Sequence, residues 1–309
     1  MIRQNYEGLG APVRRWDTLA SFLDGADLDD AVHVVGLASG NHLDFVLRGA
    51  GRSESAQECV PVFFSGALPN RQGTAAPYFS GARLSASLGL AMVAFSDPTL
   101  NLDDSTPLAW YAGTPGDGVQ SAIAEVLRWI AEKSGRELLL VGGSGGGFAA
   151  LYYASRVGRR ASAFAWNPQT DLLKYTPQAV GAYLRAAGRD LTEYRGTASE
   201  EAEASRWLLS HGIEHVLPSD DRAARVFVLQ NATDWHVETH LAPFLERGGY
   251  EHRGRGYYSS PAGHGALILH YGEGHAVPSS ALLAEALRSL VQPSQTPRAT
   301  FNRLVDKGL

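Results

Sequence analysis

Short apolar runs recur along the chain and stop at glycine, proline or a small polar residue. They occupy residues 33–37, 42–47, 60–64, 90–95, 138–141, 161–166, 225–230 and 266–270. Runs of this length, rich in valine, leucine and phenylalanine, predict buried strands. Between the later ones, over 119–133, 147–157, 237–245 and 279–291, apolar residues return at the spacing of one helix face. Strands alternating with helices predict an α/β fold with a mostly parallel sheet covered on both faces. The first two runs are close enough for a hairpin through residues 38–41, and their antiparallel pairing would cap one edge. The rhythm breaks over 168–221, where two helical segments, 177–187 and 199–212, are rich in alanine, glutamate and arginine. An insertion there would overhang the carboxyl ends of the strands, so a helical cap is expected. The expected division is an N-terminal extension over 1–30, a core over 31–167 and 222–292, the cap over 168–221, and a tail over 293–309 that begins as a linker.

One junction carries more chemistry than any other. The run Leu138-Leu139-Leu140-Val141 ends in Gly142-Gly143-Ser144-Gly145-Gly146-Gly147, and the helical stretch Phe148-Ala149-Ala150 follows. Gly142-x-Ser144-x-Gly146 on a strand-to-helix turn is the pattern of a nucleophile elbow. The serine needs an unusual backbone conformation, and bulky neighbours would collide with the adjoining strand and helix. Its hydroxyl then stands clear of the sheet beside the positive end of a helix. These glycines have two other readings. Gly145-x-Gly147-x-x-Ala150 fits a loose dinucleotide fingerprint, but that motif belongs on the first strand of its unit and several strands precede this one. A phosphate-binding loop would end in Gly-Lys-Ser or Gly-Lys-Thr, which is lacking here.

A serine hydroxyl needs a base, and the base needs an acid to orient it. With an elbow, these partners follow later in the chain in the order acid, then histidine, each beyond a strand. Asp234 stands in the loop after the run 225–230, and His275 in Gly272-Glu273-Gly274-His275 after the run 266–270. Asp97 is the second candidate for the acid and Glu273 a weaker third. His264 precedes its strand and His270 lies within it, so both rank behind His275 as base. The oxyanion hole needs two backbone N–H groups. Gly145, next to the serine, should supply one, and Gly66 or Ala67, in the loop after the third strand, the other. Trp110 and Tyr111, beyond the fourth strand, could stack on a sugar ring or acyl group or could simply pack their loop onto the core. Trp235 and His236, flanking the acid, are further candidates for contact with substrate. His236 and His240 sit four apart, a zinc-compatible spacing, but Val237 stands where the zinc-protease pattern has glutamate, so no metal is expected. No cofactor is expected either.

Composition narrows the partners. The chain has 309 residues, 44% of them apolar and 19% charged, with a net charge of −5. It can build a sizeable core, and no basic cluster invites nucleic acid or an anionic membrane. The residues from Met1 to Glu7 lack the apolar stretch of a signal peptide, and no run of about 18 apolar residues could span a bilayer. Cys59 is the one cysteine, so no internal disulfide can form. It is expected to pack beside a strand, and the cytoplasm is the expected compartment.

With serine, acid and histidine in this order, the chain resembles the α/β-hydrolase fold superfamily over roughly residues 30–292. The resemblance implies an eight-stranded sheet and a Ser144/Asp234/His275 triad working through an acyl-enzyme. Ser144–Ala150, Asn167-Pro168-Gln169-Thr170-Asp171 and Asp234-Trp235-His236 are also similar to a bacterial branch associated with surface-polysaccharide biosynthesis. The third-strand loop, Ser65-Gly66-Ala67, departs from the His-Gly-Gly-Gly of many lipases and esterases. The expected activity is cleavage of an ester, or alternatively of a thioester or amide, in a small-molecule or glycan-linked acyl substrate. An acyltransferase with a sugar or amine acceptor could use the same triad, and a binding module could retain the fold without catalysis. The oligomeric state is left open.

Overall fold

Strand Leu138–Gly143 shows how the sequence builds a two-sided sheet. Leu138 and Leu140 enter one apolar cluster, while Leu139 and Val141 enter a second on the opposite face. Both sets are buried, which explains a continuous apolar run in place of alternation with polar residues. The computed structural model describes residues 3–52, 58–71, 73–218 and 222–308. The last residues of the expected cap, 219–221, and the outermost residues of the first and last segments lie outside this set.

The strands are β1 (Val13–Trp16), β2 (Ala31–Gly36), β3 (His42–Arg48), β4 (Val60–Phe64), β5 (Met92–Phe95), β6 (Leu138–Gly143), β7 (Ala161–Trp166), β8 (Val226–Asn231), β9 (Glu251–His252), β10 (Tyr257–Ser259) and β11 (Gly265–Leu269). They form one sheet in the order β1-β2-β3-β5-β4-β6-β7-β8-β11-β10-β9. From β5 through β11 in that order every pairing is parallel. β3 runs antiparallel to both β2 and β5, and β9 and β10 are antiparallel additions at the far edge.

The expectation of a mostly parallel α/β sheet holds, with a correction to the count: eleven strands among the described residues, not eight. The three extra strands lie in edge ladders. β1 alternates between exposed and half-buried positions and β9 is exposed, so no apolar run marks them. The hairpin of β2 and β3 forms with Val35 opposite Leu43, but it does not close its edge, because β1 pairs in parallel outside β2.

Helices cover both faces. α1 (Leu19–Gly25), α3 (Val119–Ser134), α4 (Gly145–Val157), α5 (Pro177–Ala186) and α6 (Ala198–Ser210) feed one cluster through Phe22, Ile123, Leu127, Phe148, Val180, Leu184 and Leu208. On the other face α8 (Ser280–Leu290) and α9 (Pro297–Asp306) contribute Leu282, Leu287, Phe301 and Leu304, with Leu84 and Leu88 of α2 (Ala82–Leu88) against them. α7 (Ala242–Arg247) follows a π-helical turn, Val237–Leu241. Cys59 is fully buried beside β4, as expected. No helix among the described residues is long and apolar enough to cross a membrane.

The loops that leave β4, β5, β6, β7, β8 and β11 therefore all emerge at one edge, the carboxyl ends of parallel strands. In open α/β sheets ligands bind there.

Candidate active site

Ser144 joins β6 to α4 with φ 55° and ψ −120°, a conformation that side-chain-bearing residues rarely adopt. Its N–H donates to the Trp166 carbonyl (3.0 Å), and its own carbonyl starts α4 by accepting from the Phe148 N–H (3.1 Å). The flanking glycines are explained by close approach. A Cβ on Gly146 would lie 2.4 Å from the Phe64 carbonyl oxygen, and one on Gly143 would lie 2.1 Å from Trp166 Nε1. The turn packs its backbone directly onto β4 and the end of β7, and side chains there would push the serine out of place.

Asp234 and His275 arrive from two further strand ends and meet. His275 Nδ1 lies 2.7 Å from Asp234 Oδ2. A carboxylate only accepts, so Nδ1 carries the proton and Nε2 keeps its lone pair for a substrate-side proton. The acid is buried, and Oδ1 accepts from the His236 N–H (3.1 Å). Burial pushes the Asp234 carboxyl up, but the bonds from His275 and His236 and the nearby imidazoles outweigh it, so its pKa lies below the ordinary value. Ser144 Oγ accepts from Gln169 Nε2 at 3.0 Å, and among the described residues no hydrogen bond joins it to His275. A loose serine–histidine contact is ordinary before substrate binds.

Asn167 holds the three loops in register. It is buried, one residue beyond β7, with φ 42°. Its Oδ1 accepts from Tyr271 OH (2.6 Å), the Asn231 N–H (2.8 Å) and Gln230 Nε2 (3.2 Å). Its Nδ2 donates to the carbonyl of Ala276, next to His275 (2.7 Å), and its own carbonyl accepts from His236 Nδ1 (3.1 Å). Asn231 Nδ2 adds bonds to the Gly272 and Gly274 carbonyls, and Thr233 Oγ1 bonds the same turn. The histidine loop is thus fastened to the acid's strand and to the serine's neighbour. Sequence reasoning gave Asn167, Gln169, Asn231 and Thr233 no role. Their signal is position, each lying at or just past the end of a strand, and for Asn167 and Gln169 also the stretch 167–171 that carries the narrower resemblance.

Ser144, His275, Gly66, Ala67 and Asn167 line a cavity of about 640 Å³, with Phe63, Phe79, Leu84, Trp166 and Val277 supplying apolar wall. Among the described residues, Arg83 is the one lysine or arginine in that lining, and no aspartate or glutamate joins it. The N–H of Ser65 is taken by Tyr111 OH (2.7 Å), which leaves Gly66 and Ala67 as the next donors along the loop. Gly145 opens α4, where N–H groups lack intrahelical partners.

Other candidate residues fall elsewhere. Trp110 and Tyr111, considered for stacking on substrate, are each 1% exposed, so they offer no ring face and pack their loop onto the core. Tyr111 is clamped by its N–H to Asp97 Oδ2 (2.7 Å) and by its carbonyl to Tyr153 OH (2.6 Å). That use accounts for Asp97, whose carboxyl burial pushes up to about 6. Trp235 is 43% exposed and stacks on Tyr175, a wall residue, with ring centroids 5.8 Å apart. His236 is buried behind His275 at a ring distance of 4.4 Å, and burial, then the neighbouring His275, lower its pKa to about 4. His264 binds the Val226 N–H at the start of β8. His270 lies just past β11 and is exposed, facing Glu273 at 3.3 Å.

Asp234, His236 and His275 each bring one donor atom within 4.8 Å of the others. Asp234 Oδ2 and His275 Nδ1 are already engaged in their 2.7 Å bond, and Asp234 Oδ1 accepts from the His236 N–H.

No family model matches the sequence, and no curated protein matches it. Solved structures do. The capsule O-acetyltransferase of Neisseria meningitidis serogroup A is similar at TM-score 0.55 and 15% identity, over 82% of this chain and 95% of that one. The acylaminoacyl peptidase of Pyrococcus horikoshii is similar at TM-score 0.52 and 13% identity, over 89% of this chain and 44% of that one. A puromycin hydrolase matches at TM-score 0.53 and 16% identity, over 89% of this chain and 39% of that one. Identities this low speak for the fold alone. Together with the strand order and the serine turn, they establish that the chain has the α/β-hydrolase fold.

Proposed function

We propose that the protein is a serine hydrolase that cleaves a carboxylic ester, or alternatively a thioester or amide, through an acyl-enzyme on Ser144. The observation that carries this reading is the 2.7 Å bond between His275 and Asp234, set beside a serine in the elbow conformation on one cavity wall. Ser144 Oγ attacks the acyl carbon while His275 Nε2 takes its proton, and buried Asp234 holds the imidazole in that tautomer. The N–H of Gly145 and that of Gly66 or Ala67 receive the oxyanion. The leaving group departs with the proton from His275. Water then attacks the ester with His275 again as base, and Ser144 is released. Residues 168–221 belong to this reading as a cap over the strand ends, and exposed Trp235 as a rim contact for substrate.

A second reading keeps the triad and replaces water by a sugar or amine acceptor. It draws on the similarity to the capsule O-acetyltransferase, which spans nearly all of that chain. The first test is a fluorophosphonate followed by intact-mass spectrometry, with Ser144→Ala as control. One adduct per chain, lost in the variant, is expected. An unlabelled wild type would overturn the catalytic reading and favour a binding module. Product analysis of an acetyl ester, with and without candidate sugar acceptors, then separates hydrolysis from transfer.

A further inference from the structure

We infer that Gln169 is a further catalytic residue, a side-chain donor that stabilises negative charge on Ser144 Oγ itself. The inference rests on the acyl-enzyme reading of Ser144. It starts from a buried amide whose orientation is fixed by its partners. Gln169 is fully buried. Its Oε1 accepts from the indole N–H of Trp110 and its Nε2 donates to Ser144 Oγ at 3.0 Å. An indole N–H can only donate, so the amide oxygen must face Trp110 and the NH₂ must face the serine.

Trp110 cannot turn away to release that orientation. It is buried with φ 55°, and its ring meets Tyr175 and Tyr183 edge-on at 6.0 and 5.6 Å. Tyr111, next in the chain, is tied to Asp97 and Tyr153. A second tie joins the same segments, since the Gln169 N–H donates to the Ser144 carbonyl (3.3 Å). The amide is therefore preset before any substrate enters, which is the condition for a donor to act without reorganising during the reaction.

The chemistry gives this donor a task that the oxyanion hole does not cover. The hole receives charge on the carbonyl oxygen of the substrate. Charge on Oγ develops at two other moments. When His275 takes the hydroxyl proton, electron density builds on Oγ ahead of its bond to the acyl carbon. When the acyl-enzyme breaks down, the C–Oγ bond gives its electron pair back to Oγ, which recovers a proton from His275. An N–H held at 3.0 Å binds an alkoxide-like oxygen more strongly than a neutral hydroxyl. In the resting state it also occupies one lone pair of Oγ.

Two variants separate this role from simple filling of space. Gln169→Met keeps the volume and removes both polar groups. Gln169→Glu keeps the shape and an acceptor for Trp110, but once ionised its carboxylate has no hydrogen to donate; burial raises its pKa, so the variant is compared with wild type at alkaline pH. The readouts are the second-order rate of fluorophosphonate labelling at Ser144 and the kcat and KM for p-nitrophenyl acetate, beside thermal unfolding of each variant. Both variants are expected to fold and to lose roughly tenfold or more in labelling rate and kcat, with KM little changed. Gln169→Glu should not rescue when ionised, and its rate relative to wild type at the same pH should recover toward acid as its carboxyl gains a donating proton. A Glu variant as fast as wild type would overturn the inference, because a shape-filling role is the one that it restores. Failure of both variants to fold would also overturn it, since the amide would then serve the loop alone. If wild type itself is not labelled at Ser144, the acyl-enzyme reading fails instead.

Discussion

At the residue scale, the positions of Ser144, Asp234 and His275 are set by the residues bonded around them. Asn167 is the clearest case, because one amide side chain and one carbonyl serve the acid's strand, the histidine's loop and His236 together. Asn167→Ala would leave the Asn231 N–H and Tyr271 OH without their acceptor, while Gln230 Nε2 keeps the Asn231 carbonyl and Asp234 Oδ2. Each unsatisfied group costs about 1–3 kcal/mol, so the variant should unfold at clearly lower denaturant while keeping the same m-value. Its turnover should fall further than stability alone explains, because the Ala276 carbonyl next to His275 loses its donor. Labelling rate measured well below the unfolding midpoint checks this. An unchanged rate in a destabilised but folded variant would make Asn167 a purely structural residue. The elbow serine was legible at this scale because its glycines are forced by close approach to the Phe64 carbonyl and the Trp166 ring at 2.1–2.4 Å, and such contacts leave a local sequence mark. Asn167 and Gln169 were not, since an asparagine or glutamine after a strand usually caps a turn, and only the partners reveal otherwise.

At the element scale, the strands buried on both faces were readable and the edge elements were not. β6 and β8 must present apolar side chains to two clusters, so their runs stand out. β1 and β9 face solvent, and their pairing depends on a neighbouring strand and not on their own composition. The last helix makes the same point. Thr296 caps it through the Ala299 N–H (3.1 Å), with Pro297 in its first turn, yet the glutamine, serine and proline before it read as a linker. Its value to the fold lies in Phe301, which is buried and stacks on Tyr257 at 4.8 Å. Phe301→Ala should lower stability by about 3 kcal/mol, read by denaturant unfolding. The labelling rate at Ser144 should not change, because α9 packs on the face served by α8 and lines no part of the cavity beside Ser144.

At the scale of the whole molecule, three buried histidines make stability depend on pH. Burial lowers His33 and His236 to about 4 and His240 to about 3, from an ordinary 6.5. Between pH 6.5 and 4 the unfolded chain binds these protons and the folded chain does not. Stability is therefore fully present above 6.5 and falls as the pH drops, by roughly 1.4 kcal/mol per pH unit for each such group. Asp97 opposes this between about pH 6 and 4, because its raised pKa lets the folded state bind a proton first. The net expectation is a clear loss of thermal stability from pH 7 to pH 5. Replacing His33, which stacks on Phe45 at 5.0 Å, by Phe should reduce that loss, with His236 and His240 carrying the remainder. A flat profile in the wild type would contradict the assignment of neutral buried imidazoles.

The sequence by itself determined the α/β class, the parallel core and the order serine, acid, histidine, because buried runs and a glycine-forced turn are local demands written in adjacent residues. Tertiary structure alone decided that His275 and Asp234 meet at 2.7 Å, that Trp110 and Tyr111 are walled into the core, and that Gln169 stands against Ser144 and Asn167 against the turn after His275. These are relations between loops brought together by strand order. A chain position carries no record of which distant loop will lie beside it until the sheet has placed them both.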